Sequence, residues 1–164
     1  HFRLLTNSMY LPYGVSYLLP IIVSCLVRQI PKDRLFENYI HEDENEENEL
    51  IVIENPEAHL HPFAQSKLGY FLAKMSKHVQ IIIETHSEHI INGIRLATLE
   101  EDIDQNEIII NFLESNEDSI QPNIKEISID QFSDLTDWPR GFFDQQEADI
   151  SKIFKHKREL RNAH

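Results

Sequence analysis

Two short apolar runs, each followed directly by polar residues, constrain the fold of this 164-residue chain more than any other feature. "LIVI" at 50–53 leads into "ENPEAHLHP", and "VQIIIE" at 79–84 leads into "THSEH". Short runs rich in β-branched residues and bounded by loop residues are typical of buried strands in a parallel sheet. Apolar residues at helical spacing predict helices at about 62–77 and 88–96. This alternation of strand and helix predicts an α/β fold with a mostly parallel sheet flanked by helices.

The N-terminal part of the chain holds its most hydrophobic segment. The pattern predicts a helix at 16–30 that is buried nearly all round, with Ser16 as N-cap and Pro20 in or just after the first turn. The run at 41–49 contains no apolar residue. It therefore predicts a solvated loop.

The C-terminal part continues with shorter elements. Strands are predicted at 107–114 and 124–129, and an amphipathic helix is predicted at 146–161. We therefore expect one part at 1–115 and an extension at 116–164, packed on the same core.

Charge and cysteine content exclude some classes of protein. A formal net charge of −13 opposes a broad DNA-binding face on this chain, because phosphates demand positive charge. The single cysteine, Cys25, rules out a disulfide framework and favours a reducing, cytoplasmic setting. The apolar run at 17–27 is far shorter than the roughly 20 residues that span a bilayer, so no membrane association is expected. The chain opens on His1 without a methionine, and we expect it to be a piece of a longer protein.

Polar side chains follow both predicted strands at their carboxyl ends. Ligands of parallel α/β sheets bind at that edge, so Glu54, Glu57, His61 and His86 are expected to converge on one crevice. A carboxylate at the tip of a rigid strand is suited to holding Mg²⁺ near a nucleotide. A histidine at the end of the next strand is suited to contact a terminal phosphate and the charge that develops on it.

Four segments resemble motifs of ABC-type ATPase heads, in the order expected for such heads. The segment 50–62 resembles the Walker B strand and D-loop, in the version of the overcoming-lysogenization-defect (OLD) and RecF/SMC-like branch. The segment 81–97 resembles the switch-histidine strand and helix, and 13–23 resembles a degenerate signature motif. "DWPRGFFDQ" at 137–145 is similar to the C-terminal segment of a family of bacterial AAA-type ATPases whose tail domain has no assigned function. The resemblance spans about residues 10–150.

The resemblance implies a role for each matching position. Glu54 would hold Mg²⁺ through water, and His86 would be the switch histidine that contacts the γ-phosphate. His61 would be the D-loop residue that faces a partner subunit. Gly14 and Ser16 would form the signature turn, whose helix N-terminus contacts the γ-phosphate of ATP bound to the other subunit.

One position departs from the usual pattern. Asn55 stands where many ABC heads have a catalytic glutamate, and an amide cannot accept a proton, so a general base is missing there. Either Glu57 orients the attacking water, or hydrolysis is slow and ATP acts mainly as a clamp.

A phosphate-binding P-loop, Gly-x-x-x-x-Gly-Lys-[Ser/Thr], is absent from the sequence. The chain has four glycines and none precedes a lysine. We therefore expect the C-terminal lobe of a P-loop NTPase head, which by itself neither binds ATP tightly nor hydrolyses it. The resemblance implies ATP and Mg²⁺ as cofactors and a homodimer that sandwiches nucleotide. It also implies roles in DNA maintenance or anti-phage defence, with DNA and a separate nuclease subunit as possible partners.

Two other functions fit parts of the sequence. Glu57, His59 and His61, joined by His86 or His89, have spacing suited to Zn²⁺ or Mn²⁺ in a metal-dependent hydrolase or nuclease. The second alternative is a non-catalytic dimerisation or assembly module, which the amide at position 55 favours.

Overall fold

The computed structural model describes residues 13–29, 49–101, 103–116, 119–139 and 141–162. The chain divides into two compact units, the first ending at Ile103 and the second beginning at Asp104. The elements in order are α1 (Tyr13–Val27), β1 (Leu50–Glu54), α2 (Pro62–Met75), β2 (Gln80–Glu84), α3 (Glu88–Glu100), β3 (Ile109–Glu114), β4 (Asn123–Ser128) and α4 (Gln145–Asn162). The predicted loop at 41–49 lies outside the described residues except for Glu49.

The first unit is built on the parallel pair β1 and β2. The strands lie in register from Leu50 opposite Gln80 to Glu54 opposite Glu84, so both end at the same edge. Their inward side chains pack with the helices, and the buried core comprises Cys25, Ile53, Leu68, Leu72, Met75 and Ile90. Burial raises the pKa of the Cys25 thiol, partly offset by the nearby Arg28, and the residue serves as a small hydrophobic member of the core.

The second unit contains an antiparallel pair, β3 with β4. The α/β class is confirmed, but a mostly parallel sheet is not, because each described sheet has only two strands. The division into units falls at 103/104, so β3 and β4 both belong to the second unit. The predicted parts at 1–115 and 116–164 stay a prediction. Packing of residues 116–164 on the core of the first part stays a prediction.

Helix α1 differs from its prediction in position and burial. It begins at Tyr13, so Ser16 lies inside the first turn and Pro20 inside the helix, and the prediction of Ser16 as N-cap was wrong. The inward stripe of α1 comprises Leu18, Ile21 and Cys25, and Gly14, which faces Leu60, extends this stripe one turn back. Side chains on the other side are exposed (Val15, Leu19, Val23, Leu26 and Val27), so burial all round was also wrong.

The strands β1 and β2 are buried on one face only. Val52 is 63% exposed and Ile82 is 50% exposed, and Leu50 lies on the same face. The strands were predicted to be buried, and the structure buries only one of their faces, because the described helices of this unit cover a single face. Among the described residues, no helix combines the length and apolar character needed to cross a membrane.

Helices α2 and α3 cross at two glycines. A Cβ atom at Gly69 would collide with the backbone carbonyl of Ile90, and one at Gly93 would collide with that of Ser66. Neither collision can be relieved by rotating a side chain, because the obstacle is backbone. Glycine at these two positions therefore sets how closely the two helices approach. This close approach also determines where α3 begins beside the end of β2.

The far ends of α2 and α3 are joined by a polar cluster that gives the fold a pH dependence. The Tyr70 hydroxyl donates to Glu101 Oε1 at 2.9 Å, and Lys74 Nζ lies 2.9 Å from the same oxygen. The hydrogen bond to Glu101, with smaller contributions from burial and from Glu100, raises the pKa of Tyr70 to about 12. A raised phenol pKa favours the neutral form in the folded state, so this stabilisation is complete below pH about 10 and is lost as the pH rises to about 12.

We therefore expect Tyr70→Phe to destabilise the chain at neutral pH and to lose that deficit in alkali. The free energy of unfolding of both proteins is measured in urea at several pH values. The difference between them should shrink between pH about 10 and about 12. A difference that stays constant over this range would contradict the hydrogen-bond assignment.

The aromatic loop of the second unit is packed. Phe142 is buried, and its ring centroid lies 5.4 Å from that of Phe112 and 5.1 Å from that of Trp138, both edge to face. Gly141 adopts φ +87°, and its N–H donates to Asp144 Oδ2 at 3.0 Å. Such edge-to-face contacts are those of a small core.

Candidate functional site

The site lies at the carboxyl edge of the β1–β2 pair. Glu54 and Glu84 end the two strands opposite each other. One further backbone hydrogen bond continues the pairing, from Asn55 N–H to the Glu84 carbonyl at 2.9 Å. The segments after the two strands therefore start side by side, as the sequence predicts.

Two tight turns follow β1. The Ala58 N–H donates to the Asn55 carbonyl and the Leu60 N–H donates to the Glu57 carbonyl, both at 3.0 Å. Asn55 and His59 take left-handed backbone conformations, with φ of +46° and +61°. Asparagine adopts this conformation more readily than most residues. The turn therefore gives a conformational reason for an amide at position 55.

Glu57 joins the two segments directly. Its Oε2 accepts a hydrogen bond from the Thr85 hydroxyl at 2.8 Å, and its Oε1 accepts one from the His86 backbone N–H at 2.6 Å. Hydrogen bonds to an ionised carboxylate are stronger than those between neutral groups. Both oxygens of Glu57 thus fix the backbone on which His86 stands.

Gln65 and Ser87 form a second bridge behind the first. Gln65 Nε2 donates to the Leu60 carbonyl at 2.9 Å, while its Oε1 accepts from Ser87 Oγ at 2.6 Å. Ser87 is buried and is the N-cap of α3, where its Oγ accepts from the N–H groups of His89 and Ile90. Sequence analysis missed these residues; the serine immediately before a helix is a capping signal, whereas Gln65 carries no sequence signal.

The structure brings Glu54, Glu57 and His86 to the same edge. The His86 side chain is 80% exposed, and its Nε2 lies 4.0 Å from Glu84 Oε1. Glu54 is also exposed. An exposed carboxylate and an exposed imidazole thus stand on neighbouring strand ends, whereas the carboxylate of Glu57 is turned toward the protein.

The start of α1 lies against the turn that follows β1. A Cβ atom at Gly14 would stand 3.0 Å from the His59 carbonyl oxygen, and Ser16 follows within the same helical turn. The Tyr17 hydroxyl donates to the Glu54 carbonyl at 2.7 Å. The structure thus places the predicted signature residues beside the site of their own chain.

His61 has a local structural role. It is the N-cap of α2, and its Nδ1 accepts a hydrogen bond from the Phe63 N–H at 3.3 Å. Its ring is exposed. That His61 faces a partner subunit stays a prediction.

The charge of this edge favours a cation. Residues 54–61 and 84–89 contain four glutamates and no lysine or arginine, so the edge by itself repels a bare phosphate group. Carboxylate oxygens are the ligands that Mg²⁺ prefers. Because both oxygens of Glu57 already accept hydrogen bonds, the exposed Glu54 is the better-fitting ligand.

The alternative of a metal-dependent hydrolase gains no support. Within the described ranges, no group of three or more His, Cys, Asp and Glu side chains is arranged to hold a metal ion. The left-handed turn at His59 and the helix that begins at Pro62 separate the histidines that alternate in the sequence. Glu57, moreover, is engaged with the loop after β2.

Comparison with known families agrees with the geometry of the site in the class of protein that it suggests. Residues 13–91 match the model of the AAA ATPase domain, and residues 103–153 match the model of a protein of unknown function, DUF3696. No curated protein and no solved structure matches the chain. The two matches support an AAA-type ATPase family and suggest an ATPase-type function.

Proposed function

We propose that this chain forms one wall of an ATP-binding and ATP-hydrolysing site, at the carboxyl edge of β1 and β2. The observation that carries the proposal is the bridge from Glu57 to Thr85 and His86, which joins the segments after two in-register parallel strands. It holds an exposed carboxylate and an exposed imidazole on one rigid edge. Preorganised groups of this kind lower the barrier to phosphoryl transfer chiefly through position and charge.

Each side chain of the edge has a distinct task in this proposal. Glu54 holds Mg²⁺ through water, and the bound cation offsets the negative charge of the phosphates. His86 donates a hydrogen bond to the terminal phosphate, where negative charge develops. Asn55 shapes the turn and does not act as a base, since an amide cannot accept a proton.

The phosphate cradle of this site is proposed to come from further residues of a longer protein. The P-loop motif is absent from this sequence, and the edge formed by 54–61 and 84–89 carries no cation of its own to bind phosphate. The exposed apolar face of Val52 and Ile82 is suited to packing by such an additional lobe.

The finer identity of the site rests on the motif resemblance alone. We propose an ABC-type head of the OLD and RecF/SMC-like branch, in which a homodimer closes over nucleotide. In this proposal His61 faces the partner subunit, and the helix start with Gly14 and Ser16 contacts the γ-phosphate of ATP bound to the other subunit. Roles in DNA maintenance or anti-phage defence, with DNA or a nuclease subunit as partners, remain part of this proposal.

The task of Glu57 follows from its contacts. Its two oxygens already accept hydrogen bonds from Thr85 and His86, so it positions the loop that carries the imidazole. Each carboxylate oxygen retains a second lone pair, which leaves room to orient a water molecule as well. Thr85→Val separates the two tasks, because it removes one hydrogen bond and leaves the carboxylate in place.

We expect Glu57→Gln in the full-length, P-loop-containing protein to lower the rate of ATP turnover by about 100-fold. An amide offers one acceptor oxygen and one donor nitrogen, so it cannot accept from both Thr85 and His86 as the carboxylate does. Thr85→Val should lower turnover in the same direction but less. The measurement is steady-state phosphate release under saturating ATP and Mg²⁺.

The matched control is Glu100→Gln, the same chemical change on an exposed residue at the far end of α3. It should leave turnover within about twofold, as expected for a surface substitution. Full-length protein that shows no ATP turnover would favour the non-catalytic assembly module instead. Glu57→Gln protein that hydrolyses ATP as fast as the wild type would contradict the task proposed for Glu57.

A further inference from the structure

The C-terminal helix α4 carries an apolar stripe that the described part of its unit does not cover. The side chains of residues 145–161 are all exposed. Ile150, Ile153, Phe154 and Leu160 are exposed by 43–65%, and their spacing places them on one side of the helix, which Lys157 interrupts between Phe154 and Leu160. An isolated helix of this length is only marginally stable in water, since most helices depend on packing of an apolar face.

The charges along α4 are divided between its two halves. The first half carries two acids, Glu147 and Asp149, and one base, Lys152, while the second half carries four bases (Lys155, Lys157, Arg158 and Arg161) and one acid, Glu159. This arrangement complements the helix dipole at each end. It also makes the two ends electrostatically complementary to each other.

We infer that α4 pairs with α4 of a second copy of this chain in antiparallel orientation. Such pairing lays the stripe of one helix on that of the other, with Phe154 near the centre. It sets the acidic first half of each copy against the basic second half of its partner. A parallel pair would instead bring Arg158 and Arg161 of both copies together, which is unfavourable for like charges at close range.

This contact between copies is independent of the proposed nucleotide site. It involves only residues of α4, and none of the residues at the edge of β1 and β2 takes part. Failure of the ATPase proposal would therefore leave it standing, and its own failure would leave the ATPase proposal untouched.

The test uses sedimentation equilibrium of the 164-residue chain without nucleotide, with the Phe154→Glu variant beside it. Wild-type protein should show a concentration-dependent monomer–dimer equilibrium. Phe154→Glu should weaken dimerisation by more than about tenfold, because it removes a buried aromatic ring and places a charge in the contact. Phe132→Glu is the matched control, since Phe132 is 69% exposed and Phe154 65%, and it should dimerise like the wild type.

Orientation is tested by cysteine cross-linking under mild oxidation. A mixture of Gln146→Cys and Arg161→Cys proteins should form a mixed disulfide dimer, whereas neither protein alone should cross-link efficiently. Any of three results would overturn the inference. These are wild-type protein that is monomeric at every concentration, dimerisation weakened equally by Phe132→Glu and Phe154→Glu, and efficient disulfide formation by each cysteine variant alone. The inference would be supported if the wild type and Phe132→Glu dimerise while Phe154→Glu does not, and if only the mixture of the two cysteine variants cross-links.

Discussion

Gly93→Ala is expected to destabilise the protein by about 3 kcal/mol, although replacing a helical glycine by alanine usually stabilises a helix by about 0.5–1 kcal/mol. The new methyl group would collide with the Ser66 carbonyl oxygen and would lie 2.9 Å from the Tyr70 backbone nitrogen. Only separation of α2 from α3 relieves this contact. Since a domain is stable by about 5–15 kcal/mol, the loss is a large fraction of the total.

The measurement is urea-induced unfolding of both proteins followed by circular dichroism. Gly69→Ala should show a loss of similar size, because its methyl group meets the Ile90 carbonyl of the facing helix. Asn92→Ala is the control, an exposed neighbour of Gly93 on the same helix, and its stability should stay within about 0.5 kcal/mol. A stabilising effect of Gly93→Ala would show that the helices do not approach as closely as described.

The elements around the site could be predicted from sequence because their signals are local. The β-branched runs at 50–53 and 79–84 are bounded by polar residues, and the observed strands, Leu50–Glu54 and Gln80–Glu84, differ from them by one residue at one end. Pro62 marked the first residue of α2 correctly. The parallel register then followed from topology, which placed Glu54 and His86 at one edge.

Features that depend on tertiary contact could not be predicted. Whether one side of α1, or the face of β1 that carries Val52, is exposed depends on which elements pack beside it. The hydrophobicity of the sequence alone does not identify those elements. The contacts of Gly69 and Gly93 required coordinates, because a glycine within a helical pattern does not identify the element that it approaches. Position 57 was identified, but the direction of its carboxylate, toward Thr85 and the His86 backbone, required coordinates.

Glu54→Gln in the full-length, P-loop-containing protein is expected to lower ATP turnover by about 100-fold and to raise the Mg²⁺ concentration needed for half-maximal rate. Glu54 is exposed at the end of β1, whereas Glu57 is engaged in hydrogen bonds. The substitution keeps the size of the side chain and removes its charge, and the Glu54 carbonyl still accepts from Tyr17. The fold should therefore persist, as unfolding curves of the variant would show.

Steady-state ATP hydrolysis as a function of Mg²⁺ concentration, compared among wild type, Glu54→Gln and Glu100→Gln, tests the proposed site most directly. Glu100 ends the 13-residue helix α3, about 20 Å along the helix from its start beside His86. The proposed site predicts that, of the two variants, only Glu54→Gln loses turnover and needs a higher Mg²⁺ concentration for its half-maximal rate. Wild-type turnover in Glu54→Gln, or an equal loss in both variants, would contradict a magnesium nucleotide site at this edge.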